Sequence, residues 1–287
     1  MSGAGNGGSS GTANVGKNGN ARSGGGSSVR HQEEHAEDGA QEPHTARGFA
    51  LTTACALLCF ALLMLAVGLS TRTALPWDGA THAWSVHHRP AVAVSTARAV
   101  TATGTGVVPY LLAAAAGWRV GHRAGDRARG VAVICAFVAC LALGQALRFG
   151  AMELMARPRP RGIDWAAHAS GWSFPSGHTT TAALAAGLLL VALRLRAPAA
   201  RHTVAALGTV VVCWAVAVGV TRVYLGVHWF TDVLGGWLFA VCWLGICVLA
   251  ASRWAPARLR DPDGGDPPDG GDAAAAGNGP AGGPHAS

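Results

Sequence analysis

The chain has 287 residues, of which 50% are hydrophobic and only 13% are charged. A soluble domain carries about 25% charged residues, so the composition argues against an ordinary water-soluble fold and for a bilayer as the main solvent. The formal net charge of +7 is unevenly distributed, because residues 48–252 contain fifteen arginines and only five acids. A basic surface suits nucleic acid, anionic lipid or an anionic substrate. Because the arginines flank apolar runs, lipid or phosphate is favoured here.

Two polar tails enclose an apolar middle. Residues 1–46 are rich in Gly and Ser and then polar, and residues 253–287 are rich in Gly, Pro, Asp and Ala. Both tails are predicted to be disordered, because neither buries enough apolar surface to offset chain entropy. Residues 47–252 are predicted to form an all-α membrane domain with about six transmembrane helices, each span needing about 20 apolar residues. The predicted spans are 48–69, 91–117, 130–150, 179–193, 203–221 and 229–251.

The arginine distribution predicts the orientation of these spans. The loops 118–129 and 194–201 and both flanks of the domain are rich in arginine, which places them and both termini in the cytoplasm. The segments 70–90, 151–178 and 222–228 then lie on the outer side. The segments 151–178 and 222–228 also carry arginines, against the general trend, and an anionic substrate would explain them. They are Arg157, Arg159, Arg161 and Arg222.

The first of three unusual segments is Arg157-Pro158-Arg159-Pro160. Its prolines stop a helix and leave the arginines on a stiff, extended piece of chain. Guanidinium groups bind phosphate oxygens through two parallel hydrogen bonds. A phosphate-binding segment and a solvated basic turn are equally good interpretations of these four residues alone.

The second segment, Phe174-Pro175-Ser176-Gly177-His178, directly precedes an apolar helix. Gly177 permits close approach of the backbone to a ligand, and Ser176 with the free amides of the helix start would bind an anion. His178 could protonate a leaving oxygen. The alternative is a helix cap that only opens a span.

The third segment contains His228 and Asp232, which are four residues apart and therefore share a helix face. A carboxylate on one imidazole nitrogen fixes the tautomer and frees the other nitrogen for attack. Asp232 is the only one of the five acids inside a membrane-length apolar run, where an ionisable group suggests function. A buried His–Asp bond between two helices is the alternative. All three segments fall on the same predicted face of the membrane.

Together the three segments resemble the signature motifs of the type 2 phosphatidic acid phosphatase (PAP2) family, which shares its site with vanadium haloperoxidases. That family's pattern is Lys-x6-Arg-Pro, then Pro-Ser-Gly-His, then Ser-Arg-x5-His-x3-Asp. The second motif is complete, and the third is matched at Arg222, His228 and Asp232 with threonine in place of serine. The first is matched at Arg159-Pro160, but its lysine position holds Met152. Arg148, one helical turn earlier, could take the lysine's place.

This resemblance implies an integral membrane phosphatase that acts on a lipid phosphate without metal or other cofactor. It implies that His228 is the nucleophile and forms a phosphohistidine, that Asp232 orients it, and that His178 donates the proton. The implied phosphate ligands, with Arg157 as an additional contact, are Arg159, Ser176, Gly177 and Arg222. Phosphatidic acid, phosphatidylglycerol phosphate and polyprenyl pyrophosphate are all suitable substrates. The expected setting is the cytoplasmic membrane of a bacterium, with the site on the extracytoplasmic side.

Three other functions are alternatives to hydrolysis of a lipid phosphate. A lipid phosphotransferase would use a lipid hydroxyl in place of water, and Met152 would also suit a weakened or non-catalytic membrane protein on this scaffold. Six spans oppose a haloperoxidase, since that chemistry belongs to soluble relatives. A nucleic-acid partner is not expected because no recognised motif is present and the basic residues flank membrane spans. The sequence does not indicate an oligomeric state.

Overall fold

The computed structural model describes residues 26–70, 74–122, 125–196 and 201–254. In these residues the secondary structure is entirely helical, which confirms the predicted all-α fold. The helices are α1 (Gly26–Leu69), α2 (Pro76–His87), α3 (Ala91–Ala102), α4 (Val107–Gly121), α5 (Arg127–Met155), α6 (Gly177–Arg196), α7 (Arg201–Tyr224) and α8 (Phe230–Trp254), with a short 3-10 turn at Gly162–Asp164.

Within the described residues, five helical segments are long and apolar enough to cross a membrane, and they correspond to five of the six predicted spans. They are Arg47–Leu69, Arg127–Met155, Gly177–Arg196, His202–Tyr224 and Phe230–Arg253. The sixth predicted span is the pair α3 and α4, which is bent by 47° at a short break. The break contains Gly106, whose φ of +66° is a conformation that glycine adopts readily.

Helix α6 lies at the centre of the described bundle and packs against α4, α5, α7 and α8. Its buried Leu184 and Leu188 form a core with Ala113 of α4 and Leu141 of α5. At one end of the bundle, Arg196 of α6 donates a hydrogen bond to the carbonyl of Val120 in α4. The two arginine-rich loops therefore begin at the same end, as the predicted orientation requires.

Helix α2 was not predicted, because its segment was assigned to an outer loop. Pro76 occupies the first helical turn, where its missing amide hydrogen costs nothing. Asp78 accepts a hydrogen bond from the amide of Leu75 at 3.1 Å and so closes the helix start. Trp77 and Trp84 are exposed while Asp78 is completely buried. Helix α2 therefore presents tryptophans outward and packs its polar face against α7 and α8.

The chain divides into two units, residues 1–47 and residues 48–287, and the membrane domain belongs to the second. In the predicted N-terminal tail, residues 26–46 have helical backbone. The disorder expected for the two tails stays a prediction. Residues 1–25 and 255–287 lie outside the described residues.

Candidate active site

His228 lies in the short connection between α7 and α8 and is only 2% exposed. Its Nδ1 is 3.3 Å from Oδ2 of Asp232 in the first turn of α8. Its Nε2 is 2.9 Å from a terminal nitrogen of Arg159. Because arginine only donates hydrogen bonds, Nε2 must accept and Nδ1 must carry the proton that bonds Asp232. The surroundings thus select the tautomer in which Nδ1 carries the proton and Nε2 is unprotonated.

The buried setting also favours the neutral form of this ring. Burial lowers the pKa of His228 well below its ordinary value, and the positive charges of Arg159 and Arg222 lower it further. A neutral imidazole is the nucleophilic form. The burial and the charges around His228 therefore favour its neutral ring.

Arg159 uses all five of its N–H groups. Its Nε and one terminal nitrogen donate to the carbonyls of Gly171, Ser170 and Trp172 at 2.7–2.9 Å. The other terminal nitrogen donates to the carbonyl of Val227 at 2.8 Å and to His228. Burial lowers the pKa of Arg159, partly offset by Asp232. These hydrogen bonds therefore hold the guanidinium against Nε2 of His228.

Arg157 occupies a different place from the phosphate contact expected for it. Its side chain is completely buried and ion-paired to Asp232 at 2.6 Å and to Asp78 at 2.7 Å. It also donates to Thr231 at 2.8 Å. The prediction that Arg157 contacts phosphate is wrong in this structure, because two buried carboxylates draw its guanidinium behind the His228–Asp232 pair.

Asp78 and Thr231 are the members of the site that sequence reasoning missed. Asp78 accepts hydrogen bonds from both the amide and the hydroxyl of Thr231 at 2.8–3.0 Å. Asp78 belongs to α2 and thereby caps the first turn of α8. Its negative charge also balances the positive charge of Arg157. The available signal was the small number of acids in the membrane domain, of which Asp78 is one.

The Pro-Ser-Gly-His segment lies beside the pair through backbone contacts. The amide of Ser176 donates to the carbonyl of Asp232 at 3.0 Å, and the Ser173 hydroxyl donates to the carbonyls of Arg157 and Pro158 at 3.1 Å. Helix α6 then begins at Gly177, so its first free amides lie at the site. The buried Ser176 hydroxyl is hydrogen-bonded to Thr179 at 3.0 Å.

Arg148 lies against this helix start. A Cβ placed on Gly177 would be 3.5 Å from the guanidinium carbon of Arg148. Arg148 also donates to the sulfur of Met152 at 3.2 Å. The arginine thus reaches the neighbourhood of Gly177, and the methionine at the lysine position packs against it.

Arg222 and His178 line an open pocket of about 510 Å³ between α3, α6, α7 and the loop around residue 166. Arg222 is 2% exposed and donates to the Thr101 hydroxyl at 3.2 Å. The site therefore gathers two histidines with the arginines 148, 159 and 222, while its acids are already engaged with Arg157 or His228. Such a concentration of donors suits a multiply charged anion.

Comparisons with known proteins find similarity in both sequence and fold. The family model of the PAP2 superfamily matches residues 133–256. Phosphatidylglycerophosphatase B of Bacillus subtilis (strain 168) is 42% identical over 69 residues, which are 24% of this chain and 34% of that relative. The solved structure of a transmembrane PAP2 type phosphatidylglycerolphosphate phosphatase from Bacillus subtilis matches with a TM-score of 0.59 at 24% identity. That match covers 71% of this chain and 98% of the solved chain.

The chain is an all-α integral membrane protein with the fold of a transmembrane PAP2 protein. The residues that the PAP2 superfamily model matches, 133–256, contain all three motifs, which supports the resemblance that these motifs carry. The aligned region spans about a third of the curated relative.

Proposed function

We propose that this protein is an integral membrane phosphatase that removes a terminal phosphate from a lipid through a phosphohistidine at His228. The observation that carries the proposal is the arrangement at the ring of His228. Its Nδ1 is bonded to Asp232 at 3.3 Å, and its Nε2 points at the guanidinium of Arg159 at 2.9 Å. A phosphate that displaces His228 as the acceptor of this Arg159 N–H would lie directly in front of Nε2 and leave its electron pair open for attack.

In the first step, Nε2 of His228 attacks phosphorus while the bond from phosphorus to the lipid oxygen breaks. His178 gives its proton to that departing oxygen. Asp232 stabilises the positive charge that develops on the ring. The products of this step are the free lipid and a phosphohistidine.

In the second step, a water molecule attacks the phosphohistidine and His178 accepts its proton. The nitrogen–phosphorus bond breaks, inorganic phosphate leaves, and His228 is regenerated. Arg159, Arg222, the amide of Gly177 and Ser176 hold the phosphate oxygens, and Arg148 supplies the charge missing at Met152. Because phosphoryl transfer depends mainly on positioning and charge stabilisation, we propose that these groups suffice without a metal ion.

The substrate we propose first is phosphatidylglycerol phosphate, since the curated relative is named as a phosphatidylglycerophosphatase. Phosphatidic acid and polyprenyl pyrophosphate are the alternatives. The proposed setting is a bacterial cytoplasmic membrane with the site on the extracytoplasmic side, opposite the arginine-rich loops.

The test is phosphate release from these three lipids by the purified protein in detergent containing a metal chelator. The wild-type chain should release phosphate from at least one lipid. His228→Ala should lower that rate by about 10³-fold or more, the scale of removing a nucleophile. His87→Ala, an exposed histidine of α2, is the matched control and should keep the wild-type rate. A His228→Ala protein with the wild-type rate would overturn the nucleophile assignment.

A further inference from the structure

Arg98 is an arginine within a membrane span, inside the bent pair α3 and α4. A charged side chain in such a place is costly and is usually retained for a function. Its Nε donates to the carbonyl of Ala166 at 2.7 Å. Within the part of the chain that the structure describes, no acid forms an ion pair with Arg98. The guanidinium is thus held by one edge, and its two terminal nitrogens are available to a ligand.

Arg98 faces the same pocket as the proposed phosphate site. That pocket of about 510 Å³ is lined by Arg98, Thr101, Trp165, His168, His178 and Arg222, among others. Thr101 lies one turn after Arg98 on α3 and accepts a hydrogen bond from Arg222 at 3.2 Å. One turn of helix rises about 5 Å. Along α3, Arg98 is therefore displaced by roughly one turn from Thr101 and its hydrogen bond with Arg222.

His168 adds a second polar group at this outer part of the pocket, and it is exposed. The pocket therefore has an inner basic group, with Arg222 and His178, and an outer basic group, with Arg98 and His168. A substrate with one phosphate needs only the inner group. The outer group is superfluous for such a substrate.

We propose that Arg98 and His168 form a second anion subsite, which binds a non-reacting phosphate group of the same lipid. This inference rests on the proposed function and narrows its substrate class to lipids that carry two phosphate groups. The two terminal nitrogens of Arg98 match two oxygens of a phosphate. The bond from Nε to Ala166 orients the guanidinium before the ligand arrives, which lowers the entropic cost of binding.

The second phosphate can come from either of two lipid types. In a polyprenyl pyrophosphate it is joined directly to the reacting phosphate, whereas in phosphatidylglycerol phosphate it is a phosphodiester separated by a glycerol. Phosphatidic acid has only the reacting phosphate. Comparing kcat/KM for the three lipids therefore detects the subsite and also identifies which lipid type it serves.

Arg98→Ala should lower kcat/KM by about 10- to 100-fold for a two-phosphate lipid, the size expected for a lost charge-assisted hydrogen bond. The effect on phosphatidic acid should stay below about twofold, since the subsite is empty with that lipid. Arg98→Lys should recover part of the loss, because it restores the charge without the fork. Arg129→Ala is the control: Arg129 is exposed in α5, its replacement removes the same charge, and it should leave all three values unchanged.

An equal loss on all three lipids, or no loss on any, would overturn the subsite. Binding measured in the His228→Ala background separates this inference from the proposed function. There, Arg98→Ala should reduce the ratio of affinities for the two-phosphate lipid over phosphatidic acid. If the wild-type chain hydrolyses none of the lipids, the proposed function fails and this binding ratio alone decides the subsite. An unchanged ratio would refute it.

Discussion

Both nitrogens of the His228 ring are hydrogen-bonded, and the two bonds require opposite roles. Arg159 can only donate, so Nε2 accepts, and the proton on Nδ1 is directed to Asp232. Arg157 holds the other carboxylate oxygen of Asp232 at 2.6 Å. The ring of His228, the proposed nucleophile, is thus oriented through a chain of buried charges that ends at Asp78.

Asp78→Asn tests whether that chain of charges matters. The change leaves the fully buried Arg157 with one carboxylate in place of two, and removing one partner of a buried ion pair costs about 3–5 kcal/mol. We expect a lower unfolding temperature in detergent and, because Arg157 also holds Asp232, a lower kcat with little change in KM. Asp126→Asn, at an exposed position that caps α5, is the control and should change neither.

Thermal unfolding and the separation of kcat from KM together decide this prediction. A wild-type unfolding temperature and a wild-type kcat for Asp78→Asn would show that the buried pair is dispensable. A rise in KM alone would place Asp78 in substrate binding, contrary to its complete burial.

The sequence could predict residues whose partners are close in the chain. His228 and Asp232 are one helical turn apart, so their contact followed from spacing alone. The distinction between Arg157 and Arg159 could not be predicted, because both stand before a proline. It depends on Asp78, a partner 79 residues away whose burial arises only when α2 packs on α8.

Helix α8 packs closely against the segment that leads into α6. A Cβ on Gly235 would lie 2.5 Å from the ring of Phe174, which is itself completely buried. Phe174 directly precedes Pro175, Ser176, Gly177 and His178. Because Gly235 has no side chain, the Pro-Ser-Gly-His segment can approach α8 and Asp232 closely.

Gly235→Ala should push Phe174 away and displace this segment. Overpacking of a core costs about 1–3 kcal/mol, and we expect both a lower unfolding temperature and a several-fold loss of kcat/KM. Gly150→Ala in α5 has no atom within 4 Å of the new Cβ and should leave both unchanged. Equal behaviour of the two variants would show that the packing of Phe174 does not position the site.

The spans could be predicted because length and apolar content are properties of the sequence itself. Helix α2 was missed because its twelve residues are too short for a span and mix Trp, His, Thr and Asp. The bend between α3 and α4 was also missed. Gly104 at the bend lies in close contact with Val218 of α7, a partner that the sequence could not identify.

For the whole molecule, the distribution of arginine has two separate explanations. The loops between α4 and α5 and between α6 and α7 begin at one end of the bundle, where Arg196 contacts Val120. Arg222 and Arg98 instead line a pocket with His178, and Arg159 contacts His228. The first group suits the positive-inside rule, and the second suits a phosphorylated lipid.

The central claim is that His228 becomes covalently phosphorylated during turnover. The most direct measurement is rapid quenching of the purified protein with a lipid whose terminal phosphate is radiolabelled, followed by peptide analysis. We predict a base-stable, acid-labile label on the peptide that contains His228, absent from the His228→Ala variant. Turnover at the wild-type rate by His228→Ala, or a label on another residue that persists in that variant, would contradict the account.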